Sequence, residues 1–223
     1  MNSLMDKVSS FINSLGSVII QQWVIIVLIA IVLWLLTRNL KVIPESKKQN
    51  IVEMGIEGFS NWVKSTMGDS YIGYAPFVGS LAIFVFVMNV TDLLGFKPPT
   101  SDFSVALALS LLTFLIVQIN SIRENGLFGY LKGYGHPTAA LLPINILERV
   151  MLPVTLSFRL FGNITVAVVI MELVYQALGN VAWIAQLAIP VPLMGYFDLF
   201  DGVLQSFIFT ILTMINIKMI AEE

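Results

Sequence analysis

The sequence predicts an all-α polytopic membrane protein: about five membrane-crossing helices plus one interfacial amphipathic helix, ending in a long tilted two-helix hairpin. Three observations predict it. Of 223 residues, 57% are hydrophobic and only 12% charged, and a mean hydropathy of +0.86 lies outside the range of soluble globular domains. Charge-free apolar runs recur at roughly 20 residues, the length a helix needs to cross a bilayer core of about 30 Å. Finally, Arg159 stands inside one such run, 152–171. A guanidinium there costs roughly 2.5 to 3.5 kcal/mol on insertion scales and cannot escape by deprotonation, so it calls for a buried anion or an aqueous cavity.

The chain reads as a single membrane domain, 1–223. No charge falls between Lys7 and Arg38, and the apolar centre at 18–36 is the first span, closed by Pro44. It is too long for a signal-peptide core, and the basic Thr37-Arg38-Asn39 replaces the small residues of a cleavage site, so the span is retained. Over 47–66, Ile51, Val52, Gly55, Ile56, Phe59 and Val63 share one helical face, with Glu53, Glu57, Asn61 and Lys64 opposite. Such a helix lies on the membrane, or packs on another subunit, rather than crossing. Segments 76–94 and 103–122 form a helical hairpin around a Gly95, Pro98, Pro99 turn.

The last two segments, 140–178 and 181–221, stay apolar for roughly 40 residues each around a Gly179-Asn180 turn. At 1.5 Å per residue each approaches ~60 Å, about twice the hydrocarbon thickness, so the hairpin must tilt or bend, with Pro143, Pro153, Pro190 and Pro192 as expected bend points. Arg159 lies 21 residues before Asn180 and Gln205 lies 25 after it, which sets them at similar depth as expected neighbours. Asn163 follows Arg159 by one turn, and Asp198, Asp201 and Gln205 share a face at i, i+3, i+7. Intramembrane carboxylates mark ion pathways or pair as helix glue, and Glu172, Asp198 and Asp201 fall on the external half of the hairpin while Glu148 lies near its cytoplasmic start. Asp92 reads as a helix-end acid or part of an external aqueous funnel, and His136 as a solvated loop residue.

With five crossings, Arg38, Lys41, Lys47, Lys48, Lys64, Arg123, Lys132 and Lys218 fall on one side and Lys7 and Lys97 on the other. The positive-inside rule then places the N-terminus outside and the C-terminus in the cytoplasm. A net charge of -2 offers no basic footprint for nucleic acid. No phosphate-binding glycine loop is present, and without cysteine and with one histidine neither a metal centre nor a cofactor site is expected.

The run Pro153-Val-Thr-Leu-Ser-Phe-Arg-Leu-Phe-Gly-Asn163, preceded by Pro143-Ile-Asn-Ile-Leu-Glu148 and followed by Leu204-Gln-Ser-Phe-Ile-Phe209, resembles subunit a of bacterial-type F-type ATP synthases. Met88-Asn-Val-Thr-Asp-Leu-Leu94 and the Ala221-Glu-Glu223 ending extend the match over most of the chain beyond the first span. The resemblance implies a stator that offers two offset ion half-channels to a c-subunit ring, with the b-subunit peripheral stalk and the soluble ATPase head as further partners. Arg159 would face the ring carboxylate between the half-channels, with Gln205 and Asn163 orienting it or lining the water path. A unit charge about 4 Å from such an acid is worth ~4 kcal/mol at an effective dielectric of 20, roughly three pKa units, enough to strip its proton. The absence of an arginine-rich presequence points to a bacterial plasma membrane, although an organelle-encoded chain looks similar.

Two departures matter. Relatives commonly carry glutamate nine residues after the arginine; here that residue is Val168, and Glu172 one turn later is the expected substitute. Asp198 stands where some relatives carry histidine or glutamate, so Asp198 and Asp201 are expected to serve the external half-channel. Leu152 replaces a usual lysine. The coupling ion, proton or sodium, is open. The competing class is a stand-alone secondary transporter or channel, against which stand the lack of internal repeats and of a closed polar pore.

Overall fold

The computed structural model describes residues 2–38, 47–94, 98–134, 142–179 and 190–222, with side chains from Ile19 onward except Asp92, Leu94, Val191, Phe197, Asp198 and Glu222. Among the described residues every regular element is helical. Five helical stretches are long and apolar enough to cross a membrane: Ile19–Thr37, Asp69–Val90, Phe103–Gly133, Leu142–Gly179 and Pro192–Ala221. The chain is therefore an all-α, multi-pass membrane protein. His136, Gly95, Lys97, Asn180 and 181–189 lie outside the described residues, and with them the expected hairpin turn.

The chain divides into two compact units, Met1–Glu57 and Gly58–Glu223. The first holds α1 (Asn2–Thr37) and the opening turns of α2 (Lys47–Met67). From Trp23 to Leu36 nearly every large apolar side chain of α1 is exposed, which suits a lipid-facing span.

The second unit begins with the rest of α2 and continues through α3 (Ala75–Val90), α4 (Phe103–Gly133), α5 (Leu142–Gly179), α6 (Pro190–Tyr196) and α7 (Gly202–Glu222). A left-handed Gly68 (φ 98°) ends α2, and the six-residue 3-10 helix Asp69–Tyr74 leads into α3. The apolar face of α2 is not uniform. Ile51 and Ile56 are exposed, whereas Val63 and Met67 are fully buried with Val78, Val117, Met214 and Ile217 in a core that Phe59 and Trp62 cover. The C-terminal half of this amphipathic helix therefore packs its apolar face on its own chain.

Helix α4 is the central element, packed on both α5 and α7, while α3 packs on α7. Asp102 caps α4 by accepting from the Ser104 amide at 2.9 Å. The helix outlasts the expected 103–122 segment: it reaches Gly133 by way of a kink at Gly126, whose φ of 68° no β-carbon-bearing residue adopts readily. One face of α4 also closes the end of α7. Asn120 Nδ2 donates to the Ile217 carbonyl (3.2 Å), Ser121 Oγ to Ile220 (2.8 Å) and Asn125 Nδ2 to Ala221 (2.8 Å). The last four carbonyls of a helix have no partner within it, and Ser121 and Asn125 supply one to Ile220 and Ala221.

The second arm of the expected hairpin is not one helix. Pro190 and Pro192 lie within the short α6, and the interruption comes at the π-helical turn Phe197–Asp201, where no proline stands. Pro143 is the second residue of α5, where a helix loses no hydrogen bond to it. Only Pro153 sits inside a long helix, leaving the Arg149 carbonyl without the N–H that position i+4 normally gives.

Candidate functional site

Arg159 projects from the middle of the 38-residue helix α5 and is half-buried. Among the described residues it makes no hydrogen bond and no ion pair, so the helix-glue role, a partner acid on its own chain, does not occur there. Its side chain lines a cavity of about 290 Å³ between faces of α5 and α7. Asn145, Glu148, Arg149 and Thr155 give that cavity polar groups from α5, and Asn216 gives one from α7. Such a cavity is large enough for several waters at about 30 Å³ each, and polar enough to hold them. A charged guanidinium within a membrane span is stabilised this way when no acid pairs with it.

Glu148 lines the cavity with Arg159 and is exposed. Asn163, half-buried one turn beyond Arg159, makes no hydrogen bond among the described residues. Glu172 is exposed, as is Val168 one turn before it, so the two share a face. At about 100° per residue that face lies about 140° around α5 from Arg159, and Glu172 does not reach the cavity.

Arg149 lies three turns before Arg159 and is 6% exposed. Its guanidinium sits 4.4 Å from the Tyr134 ring centre and 5.4 Å from that of Tyr130. The two tyrosines meet edge to face and their hydroxyls are 2.6 Å apart. Tyr130 donates to Gln118 at 2.7 Å, and Asn145 donates to the Tyr134 carbonyl at 2.9 Å. Burial, then the Tyr130 hydroxyl beside it, pushes Tyr134 up to about 12, so it stays neutral. The cavity wall is thereby latched to the short arm of α4 beyond Gly126. Sequence pattern does not single out Arg149, because beside Glu148 near a helix start it looks like an ordinary interfacial charge. The signal available was its spacing: Arg149, Leu152, Leu156 and Arg159 fall on one helical face.

Gln205 is 3% exposed, and its amide donates to Asp201 Oδ1 at a long 3.4 Å. No hydrogen bond joins Gln205 to Arg159 among the described residues. Gln205 Oε1 has no hydrogen-bond partner among the described residues, and neither has Asn89 Nδ2 on α3. Asn89 accepts from the fully buried Thr100 hydroxyl at 3.0 Å. A β-carbon on Gly202 would meet Val90 at 3.2 Å and Asn89 at 3.5 Å, which sets this amide beside the residue following Asp201. Asp201 and Gln205 are thus joined away from the cavity, and Asn89 packs against Gly202 beside them. The π turn alters the simple i, i+3 register expected between Asp198 and Asp201. The side chains of Asp198 and Asp92 lie outside the described residues. Leu152, in the place of the usual lysine, packs against both cores of the unit.

Fold and site together define a multi-pass helical membrane subunit that holds one arginine, unneutralised among the described residues, over a polar cavity. Comparison with known proteins places it further. The family profile of the ATP synthase A chain matches residues 19–218. ATP synthase subunit a of Moorella thermoacetica is 33% identical over 198 residues, covering 88% of this chain and 87% of the relative. The sodium ion specific subunit a of Propionigenium modestum is 33% identical over 217 residues, 90% and 72% of the two chains. ATP synthase subunit a 2 of Acaryochloris marina is 31% identical over 206 residues, 92% and 85%. The chain belongs to the ATP synthase subunit a family, and so to the membrane part of a multi-subunit complex in which ion transport and ATP synthesis meet.

Proposed function

We propose that the chain is the stator that passes protons or sodium ions to and from a rotating c-subunit ring through two offset half-channels, coupling ion flow to ATP synthesis. The observation that carries this reading is Arg159: a permanent charge in a membrane span, half-exposed, and with no ion-pair partner on its own chain among the described residues. Its counter-charge then comes from another chain, and the ring carboxylate is that group. The cavity with Glu148, Thr155 and Asn216 is the cytoplasmic half-channel. Asp201, Gln205 and Asn89, together with Asp198, Asp92 and Glu172, form the external one. Asn163 orients Arg159 from the next turn.

In this mechanism a ring carboxylate loses its ion when it meets Arg159, because the fixed charge favours the anion. Reloaded from the other half-channel, the acid is neutral and moves on into lipid. The peripheral b stalk holds the chain still against the soluble head. The surroundings are a bacterial plasma membrane, with the N-terminus outside and the C-terminus in the cytoplasm, and 1–223 acts as one membrane domain.

Reconstituted complex carrying Arg159→Ala is expected to lose ATP-driven ion pumping, and Arg159→Lys to lose it as well because ammonium lacks the planar, always-charged fork. Pumping retained in Arg159→Ala defeats the assignment.

A further inference from the structure

Two polar regions on one chain present a hazard: if they join inside the protein, ions run through without turning anything. The packing between them speaks to this. On α7 one stripe carries Gln205, Phe209, Leu212 and Asn216 at i, i+4, i+7 and i+11, so the polar ends of the stripe stand about 16 Å apart. Phe209 is fully buried and packs with Leu81, Val85, Ala106, Leu156 and Leu160, drawn from α3, α4 and α5. Leu156 belongs both to this cluster and to the cavity lining, so the cavity ends where the cluster starts. On the other side polar groups begin within one turn, at Gln205 after Phe209 and at Asn89 after Val85. Nothing in the cluster can hydrogen-bond water, and a water placed there would give up its partners without replacement.

We propose that Phe209, seated on Leu156, Leu160 and Val85, is the dry seal that keeps the two half-channels apart within this chain. Arg159 guards the face that meets the ring, and Phe209 closes the interior behind it. The inference rests on the half-channel reading and adds a residue that controls coupling without touching the ion. It acts by exclusion, so aromatic or aliphatic bulk is what counts at this position. A hydroxyl added at equal volume, as in Val85→Thr, breaches the seal without opening a void.

The test uses the whole complex in membrane vesicles, its soluble head attached and idle without nucleotide so that the ring cannot turn freely, with passive decay of an imposed pH or sodium gradient as the readout. Phe209→Ala and Val85→Thr are expected to raise the decay rate about tenfold over wild type, a change of about 1.4 kcal/mol in barrier, while Phe209→Leu stays tight. Because the chain has no cysteine of its own, Leu156→Cys serves as a second readout. In right-side-out vesicles, a membrane-impermeant thiol reagent in the medium meets the external face and should label it in the Phe209→Ala background and not in wild type. Tight vesicles for both Val85→Thr and an assembled Phe209→Ala overturn the seal, as does equal leak from Phe209→Leu. If Phe209→Ala fails to assemble, Val85→Thr decides. Loss of the underlying half-channel reading shows separately, as pumping that survives Arg159→Ala.

Discussion

The two polar regions along α7 solve the same problem by opposite means. Around Arg159 the helices leave room: a cavity of about 290 Å³ gives Glu148, Thr155 and Asn216 access to water. Around Gln205, where α3 packs on α7, the interior is closed, and buried amides are left with unused donors and acceptors, Gln205 Oε1 and Asn89 Nδ2. Polar groups cost free energy when buried without partners, so such a site persists when an ion or water passing through completes it. The first end is readable as shape, the second only as unsatisfied chemistry.

The comparison breaks most visibly at the closed end. Asp201→Asn together with Asp198→Asn removes both acids of the π turn Phe197–Asp201, and ATP-driven pumping by the reconstituted complex should fall about a hundredfold, roughly 2.7 kcal/mol of barrier. Unchanged pumping would move the external path away from the π turn. At the open end the expected loss is smaller. Arg149→Gln removes a cation from two tyrosine rings, an interaction of about 2 kcal/mol when desolvated, and should slow pumping several-fold, with Arg149→Lys recovering most of it. Equal losses in the glutamine and lysine variants would show that the rings do not grip a charge.

Access to solvent sharpens the contrast further. Asn216→Cys should react readily with an impermeant thiol reagent applied from the side of the C-terminus, while Gln205→Cys should not; matching rates would merge the two ends into one compartment. The smallest effect belongs to the clasp that closes α7. Ser121→Ala should cost about 1 kcal/mol, one intramolecular hydrogen bond, seen as a lower temperature for release of the chain from the complex, with pumping rate unaltered.

Much of this was legible in the residues. The spans follow from charge-free runs, and Arg159 is conspicuous because one charge in an apolar helix has few explanations. Gln205 and Asp201 stood out for the same reason, and their hydrogen bond follows from a four-residue spacing. The partners of these groups were less legible. Depth counted from a turn set Arg159 beside Gln205, but depth fixes height and not direction around the helix. The π turn at Phe197–Asp201 has no proline to announce it, and the kink at Gly126 rests on one glycine among several in a charged stretch. Arg149 was invisible for a different reason: its tyrosines lie 15 and 19 residues back on another helix, a contact that only tertiary packing creates.

The central claim is that the counter-charge of Arg159 comes from another subunit. Electron cryo-microscopy of the intact complex, resolved to side chains around α5, tests it directly. The account predicts the Arg159 guanidinium facing a ring carboxylate within about 4 Å in the subunit that is losing its ion, with no acid of this chain at that distance. Arg159 paired instead with Glu148, Glu172 or Asp201 of its own chain, and turned away from the ring, would contradict it.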